Sequence, residues 1–296
     1  MNGLVQGGSP RGATGGSTPA PILVLGGTGK TGRRVAARLA GQGHKVRLGS
    51  RAGRPAFSWD DPAGWPAVLA GAQAAYIAYQ PDLAVPGALA AVERFATLAT
   101  EAGLQRLVLL SGRGEPEAQA AEAALQAAAT AGGADWTVLR ASWFAQNFSE
   151  SFLLDAVLAG TVALPADSIV EPFIDADDIA DVATAALTAP GHANRVYEMT
   201  GPGLLTFADA VAEIGRASGR PLRYISLTPA AFADLMRQHR VPAEQAALIL
   251  YLFDTVLDGR NASLGDGVQQ ALGRPPRDFA AYAREAAATG IWEAAP

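Results

Sequence analysis

Residues 22–32 read Ile22-Leu23-Val24-Leu25-Gly26-Gly27-Thr28-Gly29-Lys30-Thr31-Gly32. The four apolar residues predict a short buried parallel strand, and the glycines follow it directly. Gly27, Gly29 and Gly32 match the spacing G-x-G-x-x-G, in which the glycines permit a tight turn, close approach to a pyrophosphate and close helix packing. Because the motif follows a strand and opens a helix, we expect a dinucleotide to bind at this turn.

A phosphate-binding P-loop is an alternative for this turn, because Gly29-Lys30-Thr31 resembles the end of G-x-x-x-x-G-K-[ST]. That motif requires an earlier glycine where this chain has Val24. The short spacing between the strand and Gly32 also leaves no room for the longer loop. A purely structural glycine turn is the remaining alternative, and we favour the dinucleotide site.

The second predicted strand ends in Leu48-Gly49-Ser50-Arg51, which bears on the choice of cofactor. An NAD(H) site usually places an acid here to bind the ribose 2′-hydroxyl, but neither this strand nor the turn after it contains one. Arg51 can instead form charge-assisted bonds to a 2′-phosphate, with Ser50, Lys30 or Arg54 assisting. We therefore predict NADP(H); the alternative is a solvated arginine without a ligand.

Strands and helices alternate along most of the chain. Strands are predicted over 22–25, 45–49, 74–79, 106–111, 136–140, 195–199 and 222–227, and helices over 30–40, 86–102, 116–131, 176–188, 206–218, 229–239, 242–257 and 276–288. This alternation is typical of an α/β fold with a doubly wound parallel sheet, here of the Rossmann type. Ligands then bind at the carboxyl ends of the strands.

The domain organisation follows from where this alternation of strands and helices begins and where it becomes less regular. Residues 1–20 are rich in Gly, Ser, Pro and Thr, and we predict a disordered tail. The NADP-binding Rossmann domain is predicted over 21–150, with 172–200 returning to it. A small C-terminal α/β lobe, formed by 151–171 and 201–296, is expected to bind substrate.

The composition excludes several other classes of function. The chain has 296 residues, a net charge of −5, no cysteine and three scattered histidines, so we expect no metal site and no nucleic-acid partner. No apolar run is long enough to span a bilayer, and no secretory signal pattern occurs, so we expect no membrane partner and a cytoplasmic location. A homodimer is compatible with the sequence.

Several later segments, together with the glycine turn, form a set of sequence motifs that resembles a known family. They are Phe57-Ser58-Trp59-Asp60-Asp61, Leu109-Leu110-Ser111-Gly112, the run from Leu139 to Phe148, the run from Pro172 to Ala180, and Gly201 to Thr206. Together these segments resemble the NmrA-like branch of the atypical short-chain dehydrogenase/reductases, and within it the ergot alkaloid reductases. The resemblance runs from about residue 21 to residue 292. It departs from the family pattern at Ala141, where proline is usual, and at residues 112–115.

The resemblance implies a set of residues around the cofactor and substrate. Tyr79, Gln80 and Pro81 would line the cofactor, Ser111 would lie near the nicotinamide, and Asp61 would lie by the adenine. With the motif residues, the predicted cofactor-binding set is Gly26, Thr28, Gly29, Lys30, Thr31, Gly32, Ser50, Arg51, Asp61, Tyr79, Gln80, Pro81, Ser111, Ser142, Phe144 and Asn147. The predicted substrate-binding residues are Trp143, Phe144 and Phe148.

The usual chemistry of short-chain dehydrogenases uses a Tyr-x-x-x-Lys pair, in which lysine assists proton transfer by tyrosine. This chain contains lysine only at positions 30 and 45, and no tyrosine precedes either one. That pair is therefore absent. The candidate proton donors are Ser111, Tyr79 and Glu115, whereas Glu122 is interpreted as a solvent-exposed acid on a helix.

Three hypotheses about function remain. The favoured one is an NADPH-dependent reductase that delivers hydride to an activated C=N or C=C bond of a small hydrophobic, heterocyclic metabolite. An iminium carbon needs no proton donor, so positioning and electrostatics can suffice. The second is a quinone or carbonyl reductase with an unconventional acid. The third is a non-catalytic regulator that senses NADP(H) and docks another protein.

Overall fold

A computed structural model describes residues 19–293. The predicted tail therefore lies, except for its last two residues, outside the described part. In chain order the first elements are β1 (Ile22–Leu25), α1 (Lys30–Gly41), β2 (Val46–Gly49), α2 (Trp65–Leu69), β3 (Ala74–Ile77), α3 (Ala88–Glu101), β4 (Arg106–Gly112), α4 (Pro116–Ala131), β5 (Asp135–Ala141) and α5 (Asn147–Glu150). They are followed by α6 (Leu154–Leu158), β6 (Thr161–Leu164), β7 (Val170–Glu171), α7 (Ala176–Thr188), β8 (Arg195–Met199), β9 (Leu205–Thr206), α8 (Phe207–Ser218), β10 (Arg223–Ser226), α9 (Pro229–Gln238), α10 (Ala243–Tyr251), α11 (Gly267–Leu272) and α12 (Phe279–Ala288).

The central sheet has six parallel strands in the order β2-β1-β3-β4-β5-β8. From β1 the chain first adds β2 on one side and then crosses to β3 on the other side. The strand order therefore reverses between β1 and β3, and this reversal leaves a crevice at their carboxyl ends. The glycine turn after β1 opens directly into that crevice.

Both faces of the sheet are covered by helices. Residues of α1 and α7 pack on one face, and residues of α2, α3 and α4 pack on the other. Every residue of β1 and β3 is consequently buried, which explains why these strands are uninterrupted apolar runs. The predicted doubly wound parallel fold is confirmed.

The C-terminal lobe has its own apolar core, which combines aliphatic side chains with a cluster of aromatic ones. Its hydrogen-bonded strands are the parallel pair β6–β10 and the antiparallel pair β7–β9. The predicted small α/β lobe is confirmed, whereas the residue boundaries between the two units stay a prediction. Strands β6, β7 and β9 were not predicted, because they contain only two to four residues and depend on distant partners.

The helix predicted over 242–257 differs from the observed one. The α-helix α10 ends at Tyr251, and Leu252–Val256 forms a π-helical turn. Such turns are frequent at functional sites, and this one contributes Leu252 and Val256 to the wall of the cavity described below. Within residues 19–293, no helix has the length and apolar character needed to cross a bilayer.

Candidate functional site

The glycine turn after β1 has the geometry that a close-packed phosphate cradle requires. Gly26 has a φ of +64°, and the Gly29 amide donates to the Gly26 carbonyl at 2.8 Å. A Cβ at Gly32 would lie 2.2 Å from the Gly26 carbonyl oxygen, so no side chain fits there. Helix α1 begins after Gly29 without a side-chain cap and without an acid in its first turn. Its first amides are therefore free to bind an anion.

A cavity of about 1190 Å³ extends from this turn to the C-terminal lobe. It is larger than the roughly 300–1,000 Å³ of a typical small-ligand site, so it has room for a dinucleotide and a small substrate. The predicted site residues in its wall are Gly26, Gly29, Lys30, Thr31, Tyr79, Gln80, Pro81, Ser111, Glu115, Ser142, Trp143, Phe144 and Asn147. The lobe contributes further wall residues between 242 and 257.

Other predicted site residues lie outside this wall. Gly32 is buried beneath the turn, and Thr28 is exposed above it. Ser50, Arg51 and Asp61 belong to the segment that follows β2, where Arg51 and Asp61 are exposed. This segment starts at the same edge of the sheet as the glycine turn, because β1 and β2 run in parallel register.

The prediction that Phe148 contacts substrate is wrong. Phe148 is fully buried, and its ring packs against Phe173, Phe207 and Phe279 at centroid distances of 5.9, 6.3 and 5.9 Å. The turn of helix α5 directs Asn147 into the cavity and the next residue into the core of the lobe. Sequence proximity to Trp143 and Phe144 did not reveal this change of direction.

Lys30 also differs from its expected role beside the 2′-phosphate. Its ammonium donates to Asn147 Oδ1 at 2.7 Å and so joins the start of α1 to the segment after β5. Burial lowers the pKa of Lys30, and the carboxylate of Glu150 opposes this effect. Lys30 therefore braces the inner wall of the cavity, and the segment after β2 is left with Arg51 as its candidate phosphate ligand.

Ser111 belongs to a buried polar network behind the cavity. Its hydroxyl donates to Glu122 Oε1 at 2.5 Å, and Arg140 donates to both Glu122 oxygens, at 3.0 and 2.5 Å. The interpretation of Glu122 as a solvated acid is wrong, because the residue is 2% exposed. The helical spacing from buried Leu125 would have placed Glu122 on the inner face of α4, but the many alanines on this helix obscured that face.

Glu115 places a carboxyl group in the cavity wall close to Ser111. Burial raises its pKa to about 9, and the adjacent carboxyl of Asp82 adds to this effect by charge and hydrogen bonding. Both residues line the cavity, and Glu115 is 7% exposed. Burial and the neighbouring carboxyl both favour the protonated form of Glu115, which is the form that can donate a proton.

The departure from the family pattern at residues 112–115 is what makes room for this acid. A Cβ at Gly112 would lie 2.1 Å from a carboxyl oxygen of Glu115. Gly114 has a φ of +80°, and a Cβ there would lie 2.6 Å from the side-chain amide of Asn261. The two glycines therefore let the loop fold back so that Glu115 packs against the end of β4.

Tyr79 lines the cavity at the end of β3, but its surroundings do not activate it. Its ring lies 4.7 Å from that of Trp59. Burial raises the pKa of Tyr79, and the carboxylate of Asp60 raises it further. A nearby cation would have the opposite effect.

Three acidic wall residues, Asp82, Glu171 and Glu244, were not identified from the sequence. Asp82 directly follows Pro81 at the carboxyl end of β3, and this position at the ligand edge was the available signal. Glu171 lies in β7 and is 1% exposed. No sequence pattern indicated it, because only pairing with β9 and the segment after β5 brings it to the cavity.

The chain is similar to known proteins over almost its whole length. No protein-family model matches it. It is 33% identical over 283 residues to agroclavine dehydrogenase of Claviceps fusiformis, across 88% of this chain and 95% of that protein. It is 34% identical over 282 residues to (4-alkanoyl-5-oxo-2,5-dihydrofuran-3-yl)methyl phosphate reductase of Streptomyces griseus, across 89% and 97%. The solved triphenylmethane reductase of Citrobacter sp., complexed with NADP(H), has the same fold, with a TM-score of 0.71 and 18% identity over 90% of this chain and 99% of that one.

Proposed function

Because the chain belongs to the NmrA-like branch of the atypical short-chain dehydrogenase/reductases, a family of oxidoreductases, we propose that it is an NADPH-dependent reductase of small hydrophobic, heterocyclic metabolites. Its substrates carry an activated C=N or C=C bond. The observation that carries this proposal is one cavity in which a glycine cradle, a wall with aromatic residues and the buried carboxyl group of Glu115 are continuous.

The residues of the glycine cradle fit a dinucleotide. Gly32 lets α1 pack directly against the Gly26 carbonyl, and the uncapped first turn of α1 suits a pyrophosphate. Arg51 suits the 2′-phosphate, since no ion pair in the described part of the chain engages it. Bound NADPH supplies the hydride. Tyr79, Gln80 and Pro81 line the same cavity as the cradle.

Glu115 supplies the proton where the substrate needs one. As hydride adds to the carbon of a neutral C=N or conjugated C=C bond, the π electrons move to the nitrogen or to the far end of the conjugated system. Glu115 transfers its proton to that atom, and its carboxylate regains a proton from solvent. A permanently charged iminium becomes a neutral amine on hydride addition and needs no proton from Glu115.

The side chains of Trp143 and Phe144 hold the substrate and limit access of water. Trp143 is fixed by edge contact with Phe207 at 5.7 Å and by Phe253 at 5.3 Å. The end of α10 and the π-helical turn cover this end of the cavity. A fixed apolar wall favours flat, hydrophobic substrates and keeps the reacting atoms in place.

Arg51→Glu is expected to weaken NADPH binding about tenfold to a hundredfold, since a hydrogen bond to a charged group contributes roughly 1.5–3 kcal/mol. The affinity for NADH should change little, because NADH carries no 2′-phosphate. Isothermal calorimetry with both dinucleotides measures this difference. Arg195→Glu is the matched control, because Arg195 is exposed at the amino end of β8, remote from the ligand edge. Equal wild-type affinities for NADPH and NADH would contradict the assignment to NADP(H).

The reaction itself is tested by following NADPH oxidation with cyclic imines, iminium salts, enones and quinones. We expect turnover with acceptors that carry an activated C=N or C=C bond. Turnover of quinones or simple ketones alone would contradict the proposed substrate class. Tight NADPH binding without turnover of any class would contradict the proposal as a whole and favour a cofactor sensor.

A further inference from the structure

The side-chain amide of Asn147 is oriented by Lys30. The Lys30 ammonium donates to Asn147 Oδ1 at 2.7 Å, and both residues line the cavity. An ammonium group has three donors and no acceptor, so only the oxygen of the amide can face it. The charge of Lys30 therefore decides which way the amide points, and Asn147 Nδ2 is turned away from Lys30.

This amide nitrogen has no partner in the protein, but it is not sealed from solvent. No side-chain hydrogen bond within residues 19–293 uses Asn147 Nδ2, although the oxygen of the same amide is bound. Nδ2 is not among the buried side-chain atoms that lack a partner in this part of the chain, so it retains accessible surface. Asn147 is half-buried in the cavity wall. Its amide N–H group is therefore available to a ligand.

A second connection between α1 and α5 holds this arrangement in place. Arg34 donates to the Lys30 carbonyl at 2.9 Å and to Glu150 Oε1 at 2.7 Å, so it joins the two helices one turn beyond the Lys30–Asn147 bond. Arg33 also binds Glu150. Because two guanidinium groups already occupy the carboxylate of Glu150, it does not draw Lys30 away from Asn147.

A donor that is fixed in this way selects an acceptor in the ligand. A carbonyl oxygen can accept from Asn147 Nδ2, whereas an ammonium group cannot. The positive charge of Lys30 on the far side of the amide polarises it and strengthens the bond that Nδ2 donates. When hydride adds to a bond conjugated with a carbonyl group, negative charge develops on the carbonyl oxygen, and a donor already in place stabilises that charge.

We propose that Asn147 Nδ2 donates to a carbonyl oxygen in the occupied cavity, and that Lys30 is the positioning residue that orients this donor. Two sources supply such an oxygen. One is the carboxamide of the nicotinamide, and the other is a carbonyl group conjugated with the reducible bond of the substrate. The assignment rests on the proposed reductase function and adds to it a required hydrogen-bond acceptor.

Variants of both residues test this assignment. Asn147→Ala removes the donor and should weaken binding of the carbonyl-bearing ligand about threefold to tenfold, the usual effect of one lost hydrogen bond. Asn147→Asp keeps an oxygen for Lys30 but places a second oxygen where the donor was, so its effect should be at least as large. Lys30→Met lets the amide rotate and should reproduce part of the loss. Lys30→Arg, which keeps a cationic donor, should retain more of the affinity than Lys30→Met.

Calorimetry with NADPH and steady-state reduction of two imines separate the two sources. Quinoxalin-2(1H)-one carries a carbonyl group next to its reducible C=N bond, whereas 3,4-dihydroisoquinoline is a cyclic imine without a carbonyl group. If Asn147→Ala raises KM for quinoxalin-2(1H)-one alone, at saturating NADPH, the acceptor belongs to the substrate. If it raises Kd for NADPH, the acceptor is the nicotinamide carboxamide. Either result supports the proposal.

A double-mutant cycle tests whether Lys30 acts through Asn147. Lys30→Met should have little further effect on the affected constant when it is added to Asn147→Ala. An effect of equal size in the wild-type and Asn147→Ala backgrounds would mean that Lys30 contacts the ligand directly, and it would overturn the positioning role.

Two matched controls should leave all of these constants unchanged. Lys45→Met removes the other lysine of the chain, which is exposed just before β2 at the sheet edge opposite the ligand edge. Gln119→Ala removes an exposed carboxamide from α4, outside the cavity wall.

Unchanged KM and Kd values in both Asn147→Ala and Asn147→Asp would overturn the proposal. An equal rise in KM for the two imines, with Kd for NADPH unchanged, would also overturn it, because only one of them has a carbonyl group. Failure of the proposed function looks different, since neither imine would then be reduced although NADPH binds. In that case the calorimetric result alone decides.

Discussion

Glu115→Gln is expected to lower kcat for quinoxalin-2(1H)-one by about 100-fold or more, the usual contribution of a positioned general acid. The nitrogen of this neutral C=N bond must gain a proton as its carbon accepts hydride, and glutamine cannot supply one. With N-methyl-3,4-dihydroisoquinolinium the same variant should retain kcat within a few-fold, because that iminium needs no proton. Steady-state NADPH oxidation with the two substrates measures the contrast directly.

Glu117→Gln is the matched control for this substitution. Glu117 lies two residues after Glu115, in the first turn of α4, is exposed and accepts a hydrogen bond from Tyr251 at 2.7 Å. The same substitution at that position should leave both rates within a few-fold of wild type. An equal loss on both substrates in Glu115→Gln would indicate that Glu115 only positions the substrate. No loss on either substrate would contradict its role as an acid.

The pH dependence of the wild-type protein tests the same assignment independently. Because the pKa of Glu115 is raised to about 9, kcat with quinoxalin-2(1H)-one should fall as the pH rises through about 9. Glu115→Gln should lack this fall, and so should the iminium substrate. A wild-type profile that remains flat through pH 10 with the neutral substrate would contradict the assignment.

The free energy of unfolding should also depend on this proton, and it should fall as the pH rises. The pKa of this carboxyl is 4.5 in a reference peptide and about 9 in the folded chain, so the folded state keeps a proton that the unfolded state releases between these values. Its contribution to stability is present below about 4.5 and is lost as the pH rises to about 9. The melting temperature of Glu115→Gln minus that of the wild type should therefore be larger at pH 9 than at pH 4.5. Thermal unfolding followed by circular dichroism measures both melting temperatures.

Arg140→Met is expected to destabilise the fold by about 3 kcal/mol, because it leaves the carboxylate of Glu122 buried without a counterion. Arg140 is bidentate to Glu122, which is 2% exposed, and also binds Glu198 at 2.7 Å. Hydrogen bonds and the charge of Glu122 hold the pKa of Arg140 above its ordinary value. Urea unfolding at pH 7 measures the loss of free energy.

Two further variants make this second expectation decisive. Adding Glu122→Gln to Arg140→Met removes the orphaned charge and should restore part of the stability, which a double-mutant cycle quantifies. Arg216→Met breaks an exposed pair with Glu213 and should cost less than about 1 kcal/mol. If Arg140→Met costs no more than Arg216→Met, the buried network does not stabilise the fold.

The dinucleotide turn was predictable from the sequence because its requirements are local. Backbone sterics alone exclude side chains at Gly32, and the buried strand β1 before it is an uninterrupted apolar run. The absence of a Tyr-x-x-x-Lys pair likewise follows from the sequence alone, since Lys30 and Lys45 are the only lysines and no tyrosine precedes either one. Fold class, family and the loss of the usual proton relay therefore needed no coordinates.

The proton donor and the substrate contacts needed the tertiary structure. The pKa of Glu115 depends on burial and on Asp82, which lies on another loop, and neither can be read from its own segment. Glu122 and Phe148 were misjudged because burial on a helix depends on what packs against it. Glu171 reaches the cavity only through pairing between short strands that are distant in sequence. The backbone turn that fits the cofactor is specified locally, because its constraints act between neighbouring residues. The ionisation and pairing of the acids depend on tertiary packing, because solvation and charge act through space.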